Sequence, residues 1–465
     1  MGQIIPIACV EVLPGDSFRA HSSALVRFTP QIKPVMHPVA VQIHSFYVPN
    51  RILWSGWEDF ITGDSATPPP TLSGAAHVRG SLKDYLGAYD DASVDMSVLP
   101  VRAYNKIFNE YYRDQDLVTE VSEDSTAIQF AAWEKDRFTA ARPWPQKGTA
   151  VTLPIGTEAP VLGIGKDDQT YSGSGTLYES DGAQHTYGAG EIAQVNTNVF
   201  MAEKGTTGYP NVRADLSSAT GVDIREFREA LAVQRYQEAR ARYGSEYVDY
   251  LRYCGVRPSD ARLQRPEFLA GGRQWVAFSE VIQTSYDATN TEPIGQLYGH
   301  GLAAMRSNRF TRFFEEHGWM LSLMVVRPRA LYGNGFPRKF TKTEKEDYFQ
   351  KELQDVGHEE IYNQEIYSGH TNPAGTAGIF GYGPRYSDYM FEENRVSGEF
   401  RDSLSNDWHL GRLFSSDMAL NADFIKCDPN KRIFADQTNH HLKVMARNHI
   451  IARRHVRRSD VGRVI

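Results

Sequence analysis

The chain has 465 residues, 12% of them aromatic, so it can bury a large core and is not a disordered polymer. Lys+Arg 50 against Asp+Glu 57 leaves a net charge of −7, which excludes coating of nucleic acid by overall basicity and confines any such contact to a local patch. No apolar run has the length of a membrane span, so no membrane insertion is expected.

The start, MGQIIPIACVEVLPGD, lacks a basic stretch and is broken by Pro6, so it does not read as a secretion signal. The expectation is a soluble protein made in a cytoplasm. Residues 17–28, SFRAHSSALVRF, read as a strand. In residues 35–48, Val39, Val41 and Ile43 alternate with Ala40, Gln42 and His44, the period of a half-buried strand. A loop with Trp54 and Trp57 follows, then a proline-rich loop over 64–74. Residues 102–114 read as a helix, with Tyr104, Ile107, Phe108, Tyr111 and Tyr112 recurring at helical spacing.

Residues 148–215 are rich in Gly, Ser and Thr and read as a surface excursion of loops and short strands. The clearest helix is 225–243, with Phe227, Ala230, Leu231 and Gln234 as a narrow buried stripe and Gly244 as its C-cap. Residues 260–272, DARLQRPEFLAGG, put Asp260, Arg262, Arg265 and Glu267 into a mixed-charge cluster, with Gly271 and Gly272 read as a sharp turn into the next strand. Residues 273–285 and 318–329 read as strands, the second apolar on both faces and so buried from both sides. Residues 331–420 are loop-rich, and 439–456 read as a final strand. Strands come early, in the middle and last, with helices in long connections. That order predicts a mainly β fold, a β-sandwich with long loop and helix insertions over a single domain, 1–465, rather than a βαβ repeat.

Enzyme signatures do not hold. GIGKDD at 163–168 lacks the third glycine of a dinucleotide loop, and YSGSG at 171–175 does not fit a nucleophile elbow. His358-Glu359-Glu360-Ile361-Tyr362 lacks the second histidine of a zinc-protease helix. No catalytic residue, cofactor or metal site is assigned. His441, His449 and His455 share a strand parity, but the plainer reading is ordinary hydrogen-bonded or solvent-facing histidines. Cys9, Cys254 and Cys427 are far apart and read as buried free thiols in a reducing compartment. The C-terminal segment gathers Lys443, Arg447, Arg453, Arg454, Arg457, Arg458 and Arg463 against Asp460 alone. Such a patch can neutralise phosphates without reading bases; a solvated tail and inter-subunit salt bridges are the other readings. For DARLQRPEFLAGG an Arg–carboxylate fork fits a bracing or inter-subunit contact better than catalysis, and Trp54 and Trp57 are good interface stock.

Several segments, in order, resemble one family. HPVAVQIHSFYVPNRILWSGWEDFITG from His37, LPVRAYNKIFNEYYRDQDL from Leu99 and DARLQRPEFLAGG are similar to segments of the major capsid proteins of the Microviridae, nearest the gokushovirus-like branch. The resemblance implies an eight-stranded viral jelly roll and a T=1 icosahedral shell around circular single-stranded DNA. It implies no enzymatic activity, a virion location and assembly in the host cytoplasm. The implied partners are other copies of the chain, the packaged DNA, a small basic DNA-binding protein and other phage structural proteins. The 148–215 excursion lies where family members carry a threefold protrusion. The competing readings are a non-viral carbohydrate-binding β-sandwich, with Trp54 and Trp57 stacking on sugars, and a glycosidase with paired carboxylates.

Overall fold

The computed structural model describes residues 1–63, 67–73, 78–88, 94–149, 151, 224–244, 246–285, 294–369 and 378–456, together with the backbone of short strands between 161 and 214. The chain divides into two compact units, Met1–Pro145 with Arg240–Ile465, and Gln146–Ala239. The second unit holds strands of two or three residues, such as Ile164–Lys166, Leu177–Glu179 and Gln184–His185 in one small sheet.

The first unit is sandwich-like. Its main strands are β1 (Ile5–Val12), β2 (Ser17–Phe28), β3 (Val39–Pro49), β4 (Glu267–Trp275), β5 (Ala277–Ile282), β6 (Leu297–Arg306), β7 (Phe310–Phe313), β8 (Gly318–Pro328) and β9 (Leu442–Arg453). One antiparallel sheet has the order β1–β8–β3–β4. In the other, β9 pairs along the whole of β2, while β6 and β7 share the opposite edge of β2 and β5 lies outside β6. The final strand therefore pairs with one of the first.

Side-chain period explains the layering. In β2, Phe18, Ala20, Ala24, Val26 and Phe28 are buried, and Arg19, Leu25 and Arg27 between them are exposed. Ala24, Val26 and Phe28 meet Val39, Val41 and Ile43 of β3 and Met324 and Val326 of β8 in the sandwich core, while Phe18 packs with Tyr47, Phe314 and Met320. The opposite faces of β3 and β8 are also covered. Phe46, Val48, Leu321, Leu323 and Val325 pack beneath helix α1 (Leu99–Ile107), which contributes Val101, Tyr104 and Ile107. The expectation for β8 holds. That for 35–48 is corrected: β3 is buried on both faces, because the α1 insertion covers the side that alternation assigned to water.

The helix expected over 102–114 is present, shifted toward Leu99, and its last turn widens into a π-helix at Phe108–Tyr112. Helix α2 (Ile224–Tyr243) ends on Gly244, whose φ of +108° suits a glycine cap. Its expected buried stripe is not buried: Phe227 and Leu231 are 48% and 42% exposed. The stripe is too narrow, and its charged neighbours Arg225, Glu226, Arg228 and Glu229 are themselves exposed. Helix α3 (Tyr247–Tyr253) follows at once.

Gly271 and Gly272 are not a turn. They lie inside β4, where an added Cβ on Gly271 would stand 3.0 Å from the His44 ring and one on Gly272 2.9 Å from Ser307 Cα. Glycine is used there for close approach of neighbouring strands. The thiols are mixed: Cys427 is buried, Cys9 half-buried and Cys254 exposed, which corrects the reading of all three as buried. Burial pushes the Cys9 and Cys427 thiols up to about 12. Residues 331–420 are loop-rich as expected, with short 3-10 turns and a hairpin of His358–Tyr362 and Ile379–Pro384. Under these loops Arg137 is buried against Glu365, with Glu393 at 3.4 Å.

Candidate nucleic-acid interface

The register of β2 on β9 decides which basic side chains share a face. Arg27 lies opposite Lys443, Leu25 opposite Met445, Ser23 opposite Arg447, His21 opposite His449 and Arg19 opposite Ile451. On the other flank, Arg306 of β6 lies opposite Ser23, Ala304 opposite Leu25 and Thr311 of β7 opposite Arg19. Strand parity turns all of these away from the sandwich core, where Ala20, Ala24 and Val26 are buried. The outer face thus carries Arg19, Arg27, Arg306, Lys443, Arg447 and Arg453, and no carboxylate at any of these register positions. Between the cations stand the small Ala304 and Ser23 and the exposed apolar side chains of Leu25, Met445 and Ile451.

The field on this face is visible in its histidines. The His21 and His449 rings are 5.0 Å apart. Desolvation, and then the positive charges of Arg306, His449, Arg309 and Arg447, hold His21 below the usual histidine range. The arginines and the lysine carry the positive charge of this face. Strand β9 is fixed from below: Asn448 Nδ2 donates to the Ile7 carbonyl at 2.7 Å, and Ser22 Oγ donates to Asn448 Oδ1 at 2.7 Å. Ser322 bonds Ser45 at 2.8 Å and continues this polar seam through the sandwich.

Of the residues read as phosphate contacts, Lys443, Arg447 and Arg453 lie on the outer face of β9. Arg454 is turned to an internal task, with Nε 3.1 Å from buried Asp16 and its guanidinium 5.3 Å from the centre of the Phe18 ring. Arg457 and Arg458 lie outside the described residues. Sequence reading missed Arg19, Arg27 and Arg306, which reach the same face from distant segments. A signal was present in SFRAHSSALVRF, where polar and cationic residues alternate with the buried ones.

The 260–272 stretch does not form one cluster. Arg265 Nε donates to Asp260 Oδ1 at 2.8 Å, approaches Glu246 at 3.9 Å, and lies 5.2 Å from the centre of the Tyr111 ring. Tyr111 in turn donates to the Pro266 carbonyl at 2.6 Å. Glu267 instead pairs with Arg312 at 3.0 Å. Arg262 is exposed, and Gln264 beside it holds a left-handed φ of 52°. The segment lines a cleft of about 290 Å³ with Arg51, Arg312, Phe313 and Glu316. Trp54 and Trp57 pack on the core beneath α1, and Trp57 meets His317 edge-on at 5.5 Å. His441 is buried against Phe434 while His449 points outward, so the shared parity builds no common site. Among the described residues no group of three His, Cys, Asp or Glu side chains is placed to hold a metal.

Comparison with known proteins agrees with this architecture. The family described as "Capsid protein (F protein)" matches residues 1–462. The chain is 32% identical over 457 residues to capsid protein VP1 of Bdellovibrio phage phiMH2K, covering 91% of this chain and 84% of that protein. It is 30% identical over 517 residues to capsid protein VP1 of Chlamydia phage 1, covering 92% and 86%. It is 31% identical over 473 residues to capsid protein VP1 of Spiroplasma virus 4, covering 92% and 85%.

Proposed function

Because the chain belongs to the phage capsid protein (F protein) family, it is a viral coat protein with a structural, non-enzymatic role, and we propose that it closes into a T=1 icosahedral shell around a circular single-stranded DNA genome. In this reading the sandwich is a viral jelly roll, the protein resides in the virion, and assembly takes place in the host cytoplasm. The gokushovirus-like branch is the reading its long sequence segments favour.

The outer face of the β2–β9 sheet is the DNA-facing surface. The observation that carries this assignment is the convergence of Arg19, Arg27, Arg306, Lys443, Arg447 and Arg453 on one exposed face of a chain with net charge −7. Flexible cations on an exposed sheet face neutralise phosphates without selecting bases. Six such charges cannot balance a genome segment alone, so a small basic DNA-binding protein and other phage structural proteins complete the particle. The 260–272 segment braces the subunit through Arg265 and offers Arg262 to neighbours. The carbohydrate-binding alternative loses its sugar platform, because Trp54 and Trp57 are engaged in intramolecular packing.

The test is sedimentation and electron microscopy of the purified protein, with absorbance at 260 and 280 nm on the same peak. Uniform icosahedral particles with a nucleic-acid absorbance ratio are expected. Particles whose DNA content is unchanged by Lys443→Gln, Arg447→Gln and Arg453→Gln together would sink the assignment of the face.

A further inference from the structure

Two exposed surfaces of the first unit have opposite character. On one, Phe340, Tyr348, Phe349, Tyr389, Met390 and Phe391 are each between 53% and 62% exposed. Tyr348, Phe349 and Tyr389 form one patch, with Met390 and Phe391 next to Tyr389 in sequence: Lys342 Nζ lies 3.8 Å from the centre of the Tyr389 ring and 5.9 Å from that of Tyr348, and Phe349 and Tyr389 both pack on Tyr386. Segments 336–360 and 388–393 that build it hold five basic residues and ten acidic ones. So large a cluster of exposed aromatic rings with a charged rim marks a binding surface rather than ordinary solvent-facing residues.

The other surface lies on the last residue of α2, on α3 and on the turn after it. Tyr243, Tyr247, Tyr250 and Tyr253 are between 45% and 64% exposed. The Tyr243 and Tyr253 rings meet at 5.0 Å, and Tyr247 stacks with Tyr250 at 6.3 Å. Segment 240–262 holds five basic residues and three acidic ones. Arg257 and Arg262 are exposed and make no ion pair among the described residues. Tyrosine and arginine together are the composition of interface anchors, because rigid rings and planar guanidinium groups lose little freedom on docking.

We propose that these two surfaces dock on each other between neighbouring copies of the chain, the tyrosine–arginine surface of one against the aromatic, acidic surface of the next. The proposal rests on the coat-protein reading and adds to it the faces that meet. A contact between two different patches of the same protein is heterologous, and such contacts propagate around a ring until it closes. The acidic rim supplies the carboxylates for Arg257 and Arg262, and the aromatic patch supplies apolar area for the tyrosine rings.

The test is a charge exchange scored by particle yield in sedimentation, with wild type assembled from the full set of co-encoded structural proteins. Arg257→Glu with Arg262→Glu is expected to lower the yield at least tenfold, as is Glu352→Arg with Asp355→Arg. The four changes combined should restore it to within about threefold of wild type, since the reversed pairs attract again. Circular dichroism of each subunit separates lost docking from lost folding. A variant that fails to fold is replaced by Tyr247→Ser and read in the same way. Normal yields from both reversals, or none from the fourfold variant, overturn this pairing and leave the coat-protein reading intact. Particles that form normally yet no longer adsorb to cells assign the tyrosines to the outside of the shell and equally overturn it. Wild-type protein that never forms particles removes the coat-protein reading and the proposal with it.

Discussion

His21 and His449 stand side by side across the β2–β9 ladder, their ring centroids 5.0 Å apart, in the middle of the cationic face. Desolvation and the surrounding Arg306, Arg309 and Arg447 charges keep His21 unprotonated at neutral pH. Acidification below the usual histidine range therefore adds positive charge at His21 on this face. Binding of an oligodeoxynucleotide is expected to tighten by roughly fourfold per added charge at 0.15 M salt between pH 7.5 and 5.5. His21→Gln should flatten that dependence, and an unchanged pH profile in the variant would refute the assignment.

The same face sets a salt dependence. Replacing Lys443, Arg447 and Arg453 by Gln removes three outward charges. The slope of log affinity against log salt for single-stranded DNA should fall by about 2. Subunit melting should change little, because these side chains are exposed. An equal slope in wild type and variant would place the nucleic acid elsewhere.

Arg265 and its neighbour Glu246 should respond in opposite senses. Arg265→Ala breaks the bond to Asp260 and the stacking on Tyr111, and a loss of about 2 kcal/mol in unfolding free energy is expected. Glu246 is different: burial, then Asp249 and Glu110, push its carboxyl up to about 7. A carboxyl raised in the folded state contributes stability at low pH that is lost as pH rises from the unfolded value through 7. Glu246→Gln should therefore leave the protein equally or more stable at pH 8, as measured by urea unfolding, despite the nearby Arg265.

Glu365→Ala is expected to cost about 3 kcal/mol, because it removes the nearest carboxylate from the Arg137 guanidinium, whose side chain is 2% exposed, and leaves Glu393 at 3.4 Å. Replacing both members by Met and Leu should recover much of that loss. Thermal melts of the single and double variants decide between a paired charge and a packing role.

His37 sets an acid limit. Its Nε2 donates to the Arg329 carbonyl at 2.9 Å, and its Nδ1 is buried without a partner. Burial lowers its pKa to about 4. The folded state favours neutral imidazole, so stability is full above about pH 6.5 and falls as pH drops toward 4. The loss reaches roughly 3 kcal/mol at the lower end. His37→Gln should show a flatter melting curve across that window.

Alternation made the β-rich order legible: β2 begins and ends where SFRAHSSALVRF does, and the final strand was expected within 439–456. What alternation cannot report is which neighbour covers a face. Gln42 and His44 look solvent-facing by period, yet His44 Nδ1 bonds Tyr112 Oη at 2.7 Å beneath the helical insertion. The same limit hid half of the candidate interface. Lys443 and Arg447 form a visible run, whereas Arg27 and Arg306 join them only through the register of strands paired across long stretches of sequence. DARLQRPEFLAGG was noticed for its charges, and Asp260 within it does pair with Arg265, but the partner of Glu267, Arg312, and the second neighbour of Arg265, Glu246, come from elsewhere in the chain.

The pairing of β9 with β2 also constrains the order of events on the ribosome. Ser17–Phe28 emerges early, but the strand that fills one of its edges, Leu442–Arg453, is made hundreds of residues later. Until then β2 exposes a long row of unpaired amide groups beside an apolar surface, a template for pairing with the wrong chain. Closure of this edge thus waits for the last strand to be made, and a chain that ends before residue 442 is expected to leave it open and prone to aggregation.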